Sequence, residues 1–186
     1  EKNMSRKKGF ILGILIFAGG ILFAGVFSAT LDFTNTTEFC TSCHSMKTNF
    51  EEMKENPHYN NASGVTVGCA DCHVPHSLAP KLWAKLMAAK DVYHEIMGTI
   101  NTPEKYDARR WHMANLVWDK MRASDSRECR ECHSFEHMDF DLQDKSASKK
   151  HQKAIKEGLT CIECHQGIAH EFPEEPEEEE PEEEDV

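Results

Sequence analysis

The alternation of apolar and polar positions divides this chain into stretches of different character. From Phe10 to Leu31 the residues are apolar or small, without a single charge, a run long enough to cross about 30 Å of hydrocarbon as one helix. Arg6, Lys7 and Lys8 stand just before it and Asp32 closes it. Between Pro80 and Gly98, the residues Trp83, Met87, Lys90, His94 and Met97 recur at three- and four-residue spacing, which predicts an amphipathic helix opened by the proline. Thr102 followed by Pro103 predicts the cap and first turn of a second helix reaching about Ala123. A third is expected over about Asp144 to Glu157, stopped by Gly158 and carrying His151. No alternating pattern of strand length appears. The expected fold is therefore mainly α and loop-rich.

Charge is distributed unevenly. The segment from Pro173 to Val186 holds ten acidic groups interspersed with prolines, so of the formal charge of −11 only about −1 belongs to the remainder, 22 acidic against 21 basic groups. Such a segment repels itself and is expected to be disordered. It serves as a solubilising tail or, alternatively, as a tether for a basic partner that salt would weaken. Its sign argues against nucleic acid as a partner. At the other end, the basic residues before the apolar run place residues 1–9 in the cytoplasm and everything after the run outside it. A cleaved signal peptide is the alternative, but the apolar core is long for one and Phe27 sits where a small residue is wanted. The expected organisation is residues 1–9 as a cytoplasmic basic segment, 10–31 as a transmembrane anchor, 32–172 as a periplasmic domain and 173–186 as the tail. That corresponds to a single-pass protein of a bacterial inner membrane.

The chemistry lies in a motif that occurs four times. Cys40-Thr41-Ser42-Cys43-His44 is Cys-x-x-Cys-His, and the pattern returns at Cys69, Cys72 and His73, at Cys129, Cys132 and His133, and at Cys161, Cys164 and His165. Two thiols three positions apart add to the two vinyl groups of one haem, and the adjacent imidazole binds its iron. Four copies imply four covalent haems c and consume all eight cysteines. Structural zinc is the bland alternative, but zinc has no need of a histidine after every second cysteine. The motifs fall into two pairs around a long helical insert, which suggests two dihaem units. With only 39% hydrophobic and 9% aromatic residues, the interior is expected to be filled by the porphyrins, and folding to depend on them. The seven histidines outside the motifs, His58, His76, His94, His112, His137, His151 and His170, are candidates for distal positions, and they outnumber the four sites.

The charge-free anchor, the motif spacings and the stretches Phe39-Cys-Thr-Ser-Cys-His-Ser-Met46, Cys69-Ala-Asp-Cys-His-Val-Pro-His76, Thr102-Pro-Glu-Lys-Tyr-Asp-Ala-Arg-Arg110, Ser126-Arg-Glu-Cys-Arg-Glu-Cys-His-Ser-Phe135 and Gly167-Ile-Ala-His170 resemble the NapC/NirT family of membrane-anchored tetrahaem cytochromes c. The likeness covers about Phe10 to Phe172. It is closest to the NapC and NirT branch and more distant from the NrfH branch. It implies a multihaem cytochrome c fold and a quinol dehydrogenase that passes electrons from the membrane quinol pool to a periplasmic reductase or cytochrome. It leaves homo-oligomerisation open. By the same resemblance, His73, His133 and His165 are proximal ligands of the second, third and fourth haems. Distal ligands carried over by position are His151 for the second, His170 for the third and His58 for the fourth. For the first haem two readings compete: His44 with His76, or Met46 with a nearly open distal side guarded by Asp91. A site that must meet quinol gains from an accessible haem edge, which favours the second.

Quinol oxidation also requires a proton acceptor beside a haem close to the membrane. The first motif lies only a few residues past the anchor. The helix from Pro80 to Gly98 offers Lys85, Lys90, Asp91, His94 and Glu95 beside Leu82, Trp83, Leu86 and Met87, and lying at the bilayer surface it would serve both needs. Asp91 is the expected base, with Lys85 or Lys90 orienting the hydroxyl. Rival readings are electron flow in reverse, onto quinone, a terminal oxyanion reductase, and a passive docking subunit. Four haems fit the last poorly, and no motif departs from Cys-x-x-Cys-His to mark a special catalytic iron.

Overall fold

The computed structural model describes residues 2–176, so most of the acidic tail, from residue 177 onward, lies outside the described residues. Helix α1 runs Lys2–Phe33, starting earlier than the apolar run because nothing in Lys2 to Gly9 breaks a helix. Its segment Arg6–Phe33 is long and apolar enough to cross a membrane and has no protein packed around it. The Thr30 and Thr34 hydroxyls return hydrogen bonds to the carbonyls of Val26 and Thr30, both at 2.8 Å. The polar groups at the end of the helix are thereby satisfied without solvent.

Short helices then carry the attachment motifs, and longer ones brace them. Helix α2 (Thr37–Cys40) is capped by Thr36, whose hydroxyl accepts from Phe39 N at 3.2 Å. Helix α3 (His44–Lys54) begins on the first motif's histidine, and α4 (Cys69–His73) contains the second motif. Helix α5 (Leu78–Ile96) and helix α6 (Pro103–Ala123) form the insert. Helix α7 (Arg127–Arg130) starts the third motif, a 3₁₀ turn at Cys161–Glu163 starts the fourth, and α8 (Lys145–Glu157) lies between them. There are no strands among the described residues.

Local signals account for the helices read from sequence. Thr102 accepts from Lys105 N with Pro103 at the first position. Asp144 accepts from Ser146 N and Ala147 N, while Gly158 closes α8 at φ 68°, a conformation that penalises any residue with a Cβ. Helix α5 starts two residues before the expected proline, because Ser77 already has an extended cap conformation and Pro80 fits within the first turn. Helix α3 had no such local signal. Its first turn is capped from 51 residues away by Glu95, which accepts from His44 N at 3.1 Å and from Ser45 Oγ at 2.8 Å.

The polypeptide by itself has little interior. Among the described residues its buried apolar side chains are Met53, Ala84, Ile100, Tyr106, Trp118 and Ile162, with Pro75 fully enclosed. A domain of this size ordinarily buries one contiguous core. Four macrocycles fit that deficit.

Candidate functional site

The first cysteines of each pair of motifs meet. The Cys40 and Cys69 side chains are within hydrogen-bonding range, as are Cys129 and Cys161. Cys72 and Cys132 are close enough to interact, and α4 packs on α7. The attachment points therefore run in the order one, two, three, four, starting at the end of the anchor, as two dihaem units joined through motifs two and three. The close approach of the first two depends on Gly68, where a Cβ would lie 3.0 Å from Thr37 Oγ1. Gly68 N donates to Asp71 Oδ2 at 2.7 Å, holding the start of α4. The third and fourth are joined by Ser126, whose buried hydroxyl accepts from Ile162 N at 3.1 Å. Ser126 adopts φ 48° and is fully enclosed. This strained conformation is kept because the hydroxyl satisfies a buried N–H.

Three histidines stand opposite three motif histidines. Ring centroids are 6.2 Å apart for His73 and His170, 6.2 Å for His58 and His133, and 6.1 Å for His151 and His165. A metal bonded to an imidazole nitrogen at about 2 Å on each side, with about 1 Å more to each ring centre, requires roughly 6 Å. The three spaces thus fit an iron between each pair. In every pair the outer histidine has its Nδ1 held by an oxygen acceptor: the Asn49 carbonyl for His170 at 3.1 Å, Asn56 Oδ1 for His58 at 3.2 Å, and Gln143 Oε1 for His151 at 2.7 Å. With the proton on Nδ1, Nε2 is left as the nitrogen that would bind a metal. Part of the His73 surface is accessible, yet the protein around its ring desolvates it and, with His170 next in effect, lowers it to about 4. Burial also lowers His170 and His165. The neutral form is the one that binds metal.

The histidines expected as distal groups are therefore the ones brought into position, but each stands opposite a different motif from the one expected. His170 faces the second rather than the third, His58 the third rather than the fourth, and His151 the fourth rather than the second. The reason is that the segment after Gly167 folds back over α3 and α6. Arg110 NH2 and Glu171 N both donate to Glu52 Oε2, at 2.5 and 3.0 Å, and Phe172 stacks on Trp118 at 5.3 Å and meets Trp111 edge-on at 6.0 Å. Tyr106 OH donates to Asn49 Oδ1 at 2.6 Å, fixing the residue whose carbonyl orients His170.

The first motif is different. His44 is exposed and Met46 half-buried. No second histidine ring faces His44 among the described residues, and His76 instead points its Nδ1 toward Glu131, 3.8 Å away. His94 lies beside Thr99, its Nδ1 3.4 Å from the hydroxyl. The remaining histidines, His112 and His137, are exposed.

The four α5 residues expected to act on quinol do not converge on one point. Lys85 Nζ donates to the Thr34 hydroxyl at 2.8 Å and the Thr34 carbonyl at 3.1 Å, tying α5 to the end of the anchor. Partial burial lowers its pKa. Asp91 is exposed in part but desolvated enough to be raised above the ordinary carboxylate range, with His94, Lys120 and Lys90 pulling it back. Asp91, Lys90 and His94 form one group with Lys120 of α6, and Lys85 stands apart. Trp83, Met87 and Met97 of the expected stripe are exposed, and so are Leu78, Leu82, Leu86, Tyr93 and Ile96, which share a neighbouring face. Sequence reasoning missed the holding residues Asn49, Asn56, Gln143 and Thr34, and it placed Glu95 among the quinol-site groups, whereas Glu95 caps α3. Only Asn56, two residues before His58, had a local signature.

This arrangement defines a helical c-type cytochrome with four attachment sites and one apolar helix suited to a membrane. Its sequence matches the NapC/NirT cytochrome c family, N-terminal region, over residues 2–175, and the chain belongs to that family. It is 57% identical over 175 residues to a protein of Allochromatium vinosum that carries a tetraheme cytochrome-c type name, covering 94% of this chain and 95% of that one. Identity is 49% to the denitrification system component NirT of Stutzerimonas stutzeri, over 90% of this chain and 85% of that one. It is 48% to the cytochrome c-type protein NapC of Escherichia coli K12, over 88% and 84%. No solved structure matches. As a cytochrome c with four attachment motifs, the chain carries four covalently bound haems c.

Proposed function

We propose that this chain oxidises quinol at the surface of the bacterial inner membrane and passes the electrons, through its four haems, to a periplasmic reductase or cytochrome. The observation that supports this most is the placement of α5. Lys85 ties the helix to Thr34 at the end of the anchor, Glu95 of the same helix holds the start of α3 at the first motif, and an apolar face is left uncovered. A helix that exposes Leu78, Leu82, Trp83, Leu86, Met87 and Tyr93 and is held where the anchor ends is suited to lie in the lipid interface. The basic residues before the anchor support a cytoplasmic N-terminus and a periplasmic haem domain.

The haems supply one-electron centres whose potentials the surrounding protein tunes. Quinol gives up two electrons and two protons on becoming quinone, so the chain must also take protons. Asp91 is the acceptor in this reading. Its raised pKa brings it closer to that of a base working near neutrality than an ordinary aspartate would be. Lys90 and His94 lie beside it to relay charge, and Lys85 donates at the anchor end, where a quinol hydroxyl would enter. His73 with His170, His133 with His58 and His165 with His151 hold the second to fourth irons. His44 or Met46 holds the first, with Met46 favoured by its half-buried position and by the lack of an opposing histidine among the described residues. Names such as NirT and NapC among the relatives agree with respiratory delivery to a reductase. The test is to add a short-chain quinol to the purified protein and follow haem absorbance. Reduction of all four haems is expected, and none would refute the reading.

A further inference from the structure

Helix α8 concentrates positive charge on a chain that, outside its tail, has 22 acidic against 21 basic groups with α8 included. It carries Lys145, Lys149, Lys150, Lys153 and Lys156 against Glu157. At 3.6 residues per turn, Lys145, Lys149, Lys153 and Lys156 lie within about a quarter of the helix circumference, with Lys150 on their flank and His151 roughly opposite. All five lysines are exposed. Among the described residues only Lys153 has a carboxylate close by, Glu157 at 3.8 Å. Scattered surface lysines ordinarily sit near acids of opposite sign. Here they form one face of the element whose other face supplies His151 to the pair at the fourth motif. Exposed Leu142, at 86%, precedes the helix, while exposed Ile155 lies nearer the His151 side. A cationic face is the complement of an acidic redox-protein surface.

We infer that the lysine face of α8 docks a soluble redox protein with an acidic surface, which takes electrons from the haem at the fourth motif. The inference rests on the proposed quinol oxidation, and takes the first motif, beside the anchor, as the point of electron entry and the fourth, last in the row, as the point of exit. In each encounter one electron moves. The haem iron goes from ferrous to ferric, the partner's centre is reduced by one electron, and quinol or an added reductant restores the iron. No proton or bond changes hands.

The test uses the intact holoprotein in neutral detergent, reduced with dithionite and mixed with either of two soluble acceptors, the acidic haem domain of cytochrome b5 or the basic mitochondrial cytochrome c. Lys149→Gln with Lys156→Gln is compared with a control pair carrying the same change in charge elsewhere, Lys47→Gln with Arg109→Gln. At low ionic strength the α8 pair should slow electron transfer to cytochrome b5 by about threefold to tenfold and leave transfer to cytochrome c equal or faster. The difference should vanish near 1 M salt, where the screening length is about 3 Å. Unchanged transfer to cytochrome b5, or equal slowing by the control pair, would overturn the inference. An effect of the α8 pair seen only after deletion of residues 177–186 would assign the face to the chain's own tail. One seen only in phosphatidylglycerol nanodiscs, and not in phosphatidylcholine, would assign it to lipid. Either result also overturns it. Reduction by quinol is recorded separately for every variant, so a failure of quinol entry is distinguished from a failure of docking.

Discussion

Replacing Phe172 by alanine tests how the returning C-terminal segment holds His170 against the second motif. Phe172 touches neither ring of that pair. It stacks on Trp118 at 5.3 Å and meets Trp111 at 6.0 Å, two residues beyond His170. Each aromatic pair is worth about 0.5–1.5 kcal/mol beyond its area, so the closed position of the segment loses about 1–3 kcal/mol. At about 1.4 kcal/mol per decade, the population in which His170, the proposed ligand, is away from the second iron rises roughly 5-fold to 150-fold. The hydrogen bond of His170 to Asn49 and the facing His73 are left in place. The assay is carbon monoxide uptake by the dithionite-reduced protein, whose rate at a six-coordinate haem follows the open fraction. The second haem of the Phe172→Ala protein should bind carbon monoxide at least several times faster than that of the wild type, with the third and fourth unchanged. An unaltered rate would refute the view that this aromatic contact positions His170.

Asp91 has a raised pKa because it is desolvated, so it is protonated, and inactive as a base, up to a higher pH than a free aspartate. Quinol-driven haem reduction should therefore rise with pH through that raised value, and Asp91→Asn should flatten the profile, as stopped-flow measurements over a pH series would show. Ser126→Ala leaves Ile162 N buried without an acceptor, a loss of about 1–3 kcal/mol that should lower the holoprotein's Tm by several degrees. Gly68→Ala places a Cβ against Thr37 Oγ1 and should disturb the optical spectrum of the first two haems, with Thr37→Ala in the same protein restoring it. If the double variant is no better than the single one, the steric explanation is wrong.

What could be read from sequence is whatever depends on neighbours within a few residues. A c-type attachment site is a five-residue pattern, a membrane span is an unbroken apolar run, and the caps Thr102, Asp144 and Gly158 act on the turn beside them, so motifs, anchor and three helices were legible. Even the three histidines that face motif histidines stood out as candidates by resemblance. Which histidine faces which motif was not legible, because His73 and His170 meet across nearly a hundred residues through Glu52, Arg110, Trp118 and Phe172, none of which marks its partner locally. Helix α3 was missed for the same reason, since its cap comes from Glu95 on α5. Only the packing of α3, α5 and α6 around the haem spaces selects one pairing among six. A pairing is a three-dimensional contact, and its energy depends on the whole arrangement of side chains that holds the two rings about 6 Å apart.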